Sequence, residues 1–475
     1  MAKGRLPITL LQGQKAAATT TYIDALPINV SGVVMPIMGA DGFMQEQPGL
    51  TLYGTAVSLD RGAVWNDQFQ MLFRVSGESL ISVSETGAVT VLGTSENVIT
   101  GNQAAMPYSF NNQSIVIDGR WYLYNPADGA RWINDPDVGH PIDQIWVDNY
   151  FFFTDGDYLY HTDLEDEEAI NPLKFATSEF SPDRTKGLGL TTDDKVIAFN
   201  RFTIEFFQNV ATEFFAFSRI SSRTVQYGII GTYCKAQIGG DWFFMGGPAE
   251  GNISIFLLQV GTAKNISSRT VDAFIAQYTE AELTYASLET RVVDNYPQLI
   301  VRLPNEVLML NLKIAEFAGV ERAWTILQSG ISSGNPYRAI HGVFDPRRAQ
   351  WVYGDTLDAR LGYLDDTVGT HYEEKIECVI YTPLMYLETA SVDEMMIQTV
   401  PGFTTTDDAT VFFSMSYNAG VTWSTEYSLQ YGAPSAYGQR FGAYALGYIN
   451  NFFSLKFRWV TESRMAFATG MLTYG

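Results

Sequence analysis

The stretch Tyr150–Gln208 reads YFFFTDGDYLYHTDLEDEEAINPLKFATSEFSPDRTKGLGLTTDDKVIAFNRFTIEFFQ, and its punctuation carries the fold. An aromatic strand, Tyr150–Phe153, runs into the turn Asp155-Gly156-Asp157, and a second strand, Tyr158–His161, runs out of it. Gly takes positive φ without steric cost, so strand, Asp-Gly, strand is a hairpin signal with a mechanism. An acidic loop follows, then a Pro-marked turn at Ser181-Pro182-Asp183. A second strand pair, Lys195–Phe199 and Phe202–Gln208, completes the stretch.

The same phrase recurs on either side. MLFRVSGESLISV (Met71–Val83) and SIVIDGRWYLYN (Ser114–Asn125) precede it. DWFFMGGPAEGNISIFLLQV (Asp241–Val260), PQLIVRLPNEVLMLNL (Pro297–Leu312) and AQWVYGDTLDARLGYLD (Ala349–Asp365) follow. A mostly-strand repeat of about 40–50 residues is the period of a β-propeller blade. The spacing predicts an all-β chain whose residues 51–375 form a β-propeller of six or seven blades. A long β-meander or a pair of sandwiches is the alternative. Residues 1–50 read as an extended lead-in arm, with Tyr22, Ile23 and Leu26 as points that dock onto the body. Thr279-Glu280-Ala281-Glu282 has a capping-box pattern and predicts one helix. Beyond Glu373 the period is lost. The short alternating strands of residues 376–475 predict a separate β-sandwich.

Composition agrees with that reading. Of 475 residues, 46% are hydrophobic and 14% aromatic, which supports a large core and argues against disorder. The formal charge of −22, with no cluster of Lys and Arg, argues against a nucleic-acid grip. It serves solubility, or a surface that repels DNA sliding past it. Cys234 and Cys378 have no metal-ligand spacing and read as two buried thiols. No signal peptide and no apolar stretch of membrane-spanning length are evident.

Motifs for chemistry are sparse. Ser416-Tyr417-Asn418-Ala419-Gly420-Val421-Thr422-Trp423 is similar to the Asp-box turn of sialidases, with Asn in place of Asp. That box is a folding device, in which the polar side chain bonds turn amides over a packed Trp. The acidic run Asp163, Glu165, Asp166, Glu167 and Glu168 could ligate Ca²⁺ through oxygen, but it lacks D-x-D-x-D-G spacing. It reads instead as a solvated or subunit-facing loop and is the candidate subunit interface. His140, His161, His341 and His371 are dispersed, so a zinc site is not expected. No nucleotide-binding glycine loop or nucleophile elbow occurs. No catalytic residue, cofactor or metal is assigned.

Several phrases together resemble one family. They include TYIDALPINV, QEQPG, TDLEDEE (Thr162–Glu168), FTIEFF (Phe202–Phe207), YGIIGTYCK (Tyr227–Lys235), YTEAELTYASLET, LPNEVLML, ERAWTILQSG, YRAI (Tyr337–Ile340) and YTPLM (Tyr381–Met385). In that order they resemble the packaged-DNA stabilisation protein, or tail hub, of short-tailed phages of the lambdoid Salmonella type. The resemblance spans about residues 20–385 and fades in the last 90 residues. It implies a non-enzymatic virion protein that forms a ring, expected to be a hexamer, beneath the head-to-tail connector. Such a ring would seal the DNA exit channel and hold a tail needle and fibres or spikes, with DNA only in transit. The rivals are a sialidase-like depolymerase, which needs inward-facing Arg and carboxylates at one propeller mouth, and a receptor-binding adhesin.

Overall fold

The computed structural model describes residues 4–10, 25–36, 39–95, 103–164, 166–178, 180–331, 335–399, 404–407 and 409–475. Within them the repeated phrase folds into seven mainly antiparallel sheets, six of them built from strands that neighbour one another in sequence. Blade 1 runs from Asp60–Asn66 to Val89–Thr94. Blade 2 comprises Gln113–Ile117, Arg120–Asn125 and Gly129–Trp132, with Ala105 and Tyr108 bridging onto its inner side. Blade 3 comprises Asp143–Val147, Tyr150–Thr154, Leu159–Asp163 and Asp166–Ala176. Blade 4 spans Thr185–Leu190 to Phe217–Arg219, blade 5 Gly228–Ile229 to Thr262–Asn265, and blade 6 Ser287–Val293 to Trp324–Leu327. Blade 7 holds Ala339–Asp345, Gln350–Asp355 and Arg360–Asp365.

The aromatic run at the start of blade 3 shows why the phrase makes blades. Phe151, Phe152 and Phe153 are all fully buried. Successive side chains of a strand point to opposite faces. Phe152 therefore packs with Leu188 and Phe207 of blade 4, while Phe151 and Phe153 pack around Trp121 of blade 2. A sheet covered on both faces needs such an uninterrupted apolar run. Tight turns set the register. At Asp118-Gly119, Asp148-Asn149 and Asp294-Asn295 both central residues have positive φ, the I′ geometry that matches strand twist.

The ring of blades closes on itself with a strand from the other end of the chain. Gly49–Thr55 pairs antiparallel with Arg360–Asp365 as the outer strand of blade 7. The seam with blade 1 is polar and buried. Arg74 Nε donates to Asp60 at 2.6 Å, and Arg74 Nη2 donates to the His341 carbonyl at 2.9 Å. His341 Nδ1 lies 2.7 Å from the second Asp60 oxygen. Arg74 is fully buried, and a buried charge needs such a partner to be tolerated. Burial would raise the Asp60 carboxyl, but Arg74 and His341 outweigh it and hold it below the ordinary carboxylate range. Gly354 permits this approach, because a Cβ there would sit 2.3 Å from Asp60 Cβ.

The second domain is a sandwich of two sheets. One contains Ala390–Thr399, Phe441–Ile449 and Ala466–Tyr474; the other contains Cys378–Tyr381, Thr410–Ser416, Tyr427–Gln430 and Phe452–Trp459. The lead-in does more than dock. Gly4–Thr9 pairs along Ala466–Tyr474, and Val30–Val33 with Phe43–Glu46 extends the same sheet. Ile8, Val30 and Met44 are buried in the sandwich core beside Phe457, Trp459 and Phe467. Leu26 is buried in the core of blades 5 and 6, whereas Tyr22 and Ile23 lie outside the described residues. Between these points residues 27–29 stitch the domains. Ile28 N donates to the Val379 carbonyl, Asn29 N to the Ile326 carbonyl, and Asn29 Nδ2 to the carbonyls of Gln328 and Glu377.

A second joint lies at Glu46. Its Oε2 accepts from Trp459 Nε1 at 2.9 Å, and its carbonyl accepts from Arg464, whose Nη1 also donates to the Asp366 carbonyl. The carboxyl is fully buried, and that burial pushes its pKa up to about 7 against the Trp459 bond and the Arg464 charge. The predicted helix is present as the single turn Glu280–Leu283, with both halves of the capping box formed by Thr279 and Glu282. Two further helices, Arg269–Ile275 and Leu312–Ala318, begin at the caps Ser268 and Asn311. They are two turns long, too short to leave a clear periodic signal.

Candidate functional site

The acidic run forms a hairpin on the outer rim of blade 3 rather than a loop. Asp163 ends one strand, Leu164 lies in the turn, and Asp166 opens the outermost strand Asp166–Ala176; Glu165 lies outside the described residues. Most of its charge has a partner inside the chain. Asp163 Oδ1 accepts from Lys174 Nζ at 2.6 Å. Glu167 Oε2 accepts from Ser109 Oγ and Asn112 Nδ2, both at 2.7 Å, and so ties blade 3 to blade 2. Glu168 pairs with Arg131 of blade 2. Asp166 is exposed and uses one oxygen to accept from the amide of Glu168 at 3.0 Å. Around this hairpin the rim is apolar. Leu164 is 56% exposed, Leu173 66% and Phe175 48%, and Tyr158 lies edge-on to Phe175. The outer strand pairs on one side only, so its other edge presents free backbone groups.

The Asp-box-like segment is a turn. Asn418 Oδ1 accepts from the Thr422 amide, Asn418 Nδ2 donates to Thr422 Oγ1, and Trp423 packs beside Tyr381 under Lys456. Cys234 and Cys378 are both buried and free, and burial pushes the Cys234 thiol up to about 12. The histidines are dispersed. His161 is buried in blade 3, where Nε2 accepts from the Ala216 amide, and burial lowers its pKa. His371 bonds Ser329 Oγ at 2.8 Å and is held neutral, its pKa lowered to about 3 by burial and by Arg338 and Arg291. Among the described residues no cluster of His, Cys, Asp and Glu could hold a metal ion. Among the described residues no helix is long and apolar enough to cross a membrane.

One concave site escaped the sequence reading. A cavity of about 960 Å³ opens where residues of blades 1, 2, 5, 6 and 7 and the segment leading into blade 3 converge. Arg61 of blade 1, Arg120 of blade 2 and Arg302 of blade 6 line it with Tyr122, Tyr233 and Tyr285. Among the described residues Asp60 and Asp118 are the lining carboxylates. Nothing in the sequence spacing brings these arginines together, because each comes from a different blade.

The chain is a seven-bladed propeller stitched to a sandwich, with its acidic run on the rim of blade 3. Comparison with known proteins gives the class. The family described as Bacteriophage P22 Gp10, beta-propeller matches residues 5–369, and that described as Bacteriophage P22 Gp10, beta-sandwich matches residues 377–474. The chain belongs to this P22 Gp10 family. The tail hub protein gp10 of Salmonella phage P22 is 26% identical over 460 residues, covering 93% of each chain. The protein is therefore a structural component of a phage tail, and the sandwich, where the sequence resemblance faded, belongs to the family as the propeller does. Among solved structures, a streptogramin B lyase (11% identity, 68% of this chain, 97% of the other) has a TM-score of 0.42. Virginiamycin B lyase from Staphylococcus aureus (11% identity, 65% and 94%) has a TM-score of 0.43.

Proposed function

We propose that the chain assembles as a ring, six-fold in the particle, beneath the head-to-tail connector. There it seals the DNA exit channel and anchors the needle and the fibres or spikes. The observation that carries this reading is the family match through both domains. Physical features support it. A ring closes through heterologous contacts, in which two different patches of one subunit meet. The rim of blade 3 offers a patch of that kind: an unpaired strand edge, the exposed Leu164, Leu173 and Phe175, and the outward Asp166. We assign the subunit contact to this hairpin, with Asp163, Glu167 and Glu168 holding its shape and Asp166 facing out. The charge of −22 favours passage of DNA without adhesion. We read the protein as non-enzymatic, made in the host cytoplasm and carried in the virion.

The test follows from the pressure of packaged DNA, whose charges lie about 1.7 Å apart along the duplex and repel. A plug that acts after packaging is dispensable for filling and necessary for retention. Deleting the gene should give heads that fill and then empty, without tail appendages, as counted by electron microscopy. Stable full heads bearing needles and fibres would show that the protein is neither plug nor platform.

A further inference from the structure

We propose that the outer face of the sandwich, at the end turned away from the propeller, is a docking surface for a basic partner, another tail protein that presents arginine or lysine there. The strand Phe441–Ile449 ends its sheet and, among the described residues, pairs on one side only, with Ala390–Thr399. Phe441, Ala443 and Ile449 face the core, which turns Tyr444 (63% exposed) and Tyr448 (62%) outward. Ala445 and Gly447, between the two tyrosines, have positive φ and break the edge. A broken edge resists the addition of a further strand, so whatever docks here meets side chains. Register assembles the patch. Tyr444 lies opposite Glu394 and Tyr448 opposite Ser391. Tyr444 Oη approaches Met396 Sδ at 3.9 Å, and Met396 pairs with the exposed Met471. Past the turn Asn450-Asn451, the exposed Tyr386 pairs with Phe452, and the exposed Glu388 follows two residues on. The strand Phe452–Trp459 gives the direction. Trp459 meets Glu46 at the joint with the propeller. At about 3.3 Å per residue, Phe452 lies about 23 Å away from it.

Charge selects the occupant. Residues 384–399 and 441–454 contain Glu388, Asp393 and Glu394 and no Lys or Arg. Arg5 reaches this face two strands away from Glu394, and Arg440 precedes Phe441 at the end nearer the joint. An acidic surface of this kind repels nucleic acid and anionic lipid. It suits a guanidinium or ammonium, which can lie on a tyrosine ring while it pairs with a carboxylate beside that ring. Within the chain the same chemistry is already in use, since the Arg348 guanidinium lies 4.8 Å from the ring centres of both Tyr53 and Tyr363. Tyr, Met and Arg are also the residues that protein interfaces favour. The ring contact is assigned to blade 3, in the other domain, so a second copy of the chain has its own surface. The occupant of the sandwich face is then a different protein, and the proposal rests on the anchoring role given above.

The test uses the full chain in particles and measures every tail protein per copy of this chain. Two variants are compared with the parent, Tyr444→Ser with Tyr448→Ser, and Glu388→Lys with Glu394→Lys. Each should leave this chain at its parental level and lower one other tail protein about tenfold or more. Glu388→Gln with Glu394→Gln should lower the same protein less, because it removes attraction without adding repulsion. Glu388→Lys alone serves if melting of the free chain shows that a paired variant fails to fold. A photo-reactive benzoylphenylalanine in place of Tyr448 should cross-link to the protein that was lowered, beside an Arg or Lys of it. Parental levels of every tail protein in the folded variants, a cross-link to a second copy of this chain, or loss of this chain itself from the particle would overturn the proposal. Deletion of the gene separates the two readings. Appendages kept without the chain would overturn the anchoring role, whereas appendages lost on deletion but kept by the folded variants would overturn the docking surface alone.

Discussion

The propeller and the sandwich solve the same problem, covering both faces of a sheet, in opposite ways. In the propeller most pairings join strands close in sequence, and the distant ones gather on Gly49–Thr55, which pairs with Arg360–Asp365 and, in parallel, with Thr370–His371. In the sandwich distant pairing is the rule. Gly4–Thr9 lies on Ala466–Tyr474, which lies on Ala390–Thr399, which lies on Phe441–Ile449. Local pairing lets a blade form from its own sequence, whereas the sandwich waits for both ends of the chain. The difference teaches that the domains are separable in topology and inseparable at residues 4–55, which supply strands to both.

Truncation is the sharpest way to break that comparison. A chain starting at Gly49 keeps the strand that closes blade 7 and loses Ile8, Leu10, Val30 and Met44 from the sandwich core. Burying one such side chain contributes about 1.5–3 kcal/mol, so the loss is about 6–12 kcal/mol. A whole domain has about 5–15 kcal/mol of net stability. Calorimetry should therefore show the propeller transition retained and the sandwich transition gone, with proteolysis beyond residue 375. An unaltered sandwich transition would mean that the N-terminal strands only decorate it.

Glu46 sharpens the comparison at the joint between the two domains. Its carboxyl is raised to about 7 by burial, from an ordinary value of 4.5. Its neutral form is the one the fold favours. The stability it allows is complete below pH 4.5, is lost as pH rises toward 7, and stays lost above. Each pH unit in that window costs about 1.4 kcal/mol, or about 3 kcal/mol in total. Glu46→Gln keeps an oxygen for Trp459 Nε1 and removes the titration. Denaturant unfolding should find the variant equal to the parent near pH 4.5 and about 3 kcal/mol more stable at pH 8. A gap that does not change with pH would place the cause elsewhere.

The propeller was legible because its signals are local. Asp-Gly and Asp-Asn turns and runs such as Phe151–Phe153 sit within one blade each. The exact number of blades was not, since it depends on a strand some 300 residues away in sequence, at Gly49–Thr55. The first strand of the sandwich hid behind Pro7, which breaks a strand pattern. Gly4–Thr9 pairs only with Ala466–Tyr474, and an edge is where Pro is tolerated. The cavity was invisible for the same reason as the closure, because Arg61, Arg120 and Arg302 converge only once the ring has formed. The acidic run read as a solvated or subunit-facing loop, whereas the structure makes it an edge hairpin with Asp163, Glu167 and Glu168 paired inside the chain, since charge along an edge strand looks like a loop in sequence.

That hairpin gives the smallest effect and the finest division between folding and assembly. Glu167 is bound to Ser109 and Asn112 of the neighbouring blade, so Glu167→Ala should cost about 1–2 kcal/mol in the free chain through two lost charge-assisted bonds. Asp166 is exposed and bonds only its own turn, so Asp166→Ala should change stability by no more than about 0.5 kcal/mol. Incorporation into particles should separate them in the other direction. If the rim of blade 3 carries the subunit contact, Asp166→Ala reduces the copies per filled head several-fold while its melting temperature stays put. Quantifying the protein on purified heads beside a melting curve of the free chain reads both quantities. Full incorporation of the Asp166 variant would move the contact to another rim and leave this hairpin as a brace between blades 2 and 3.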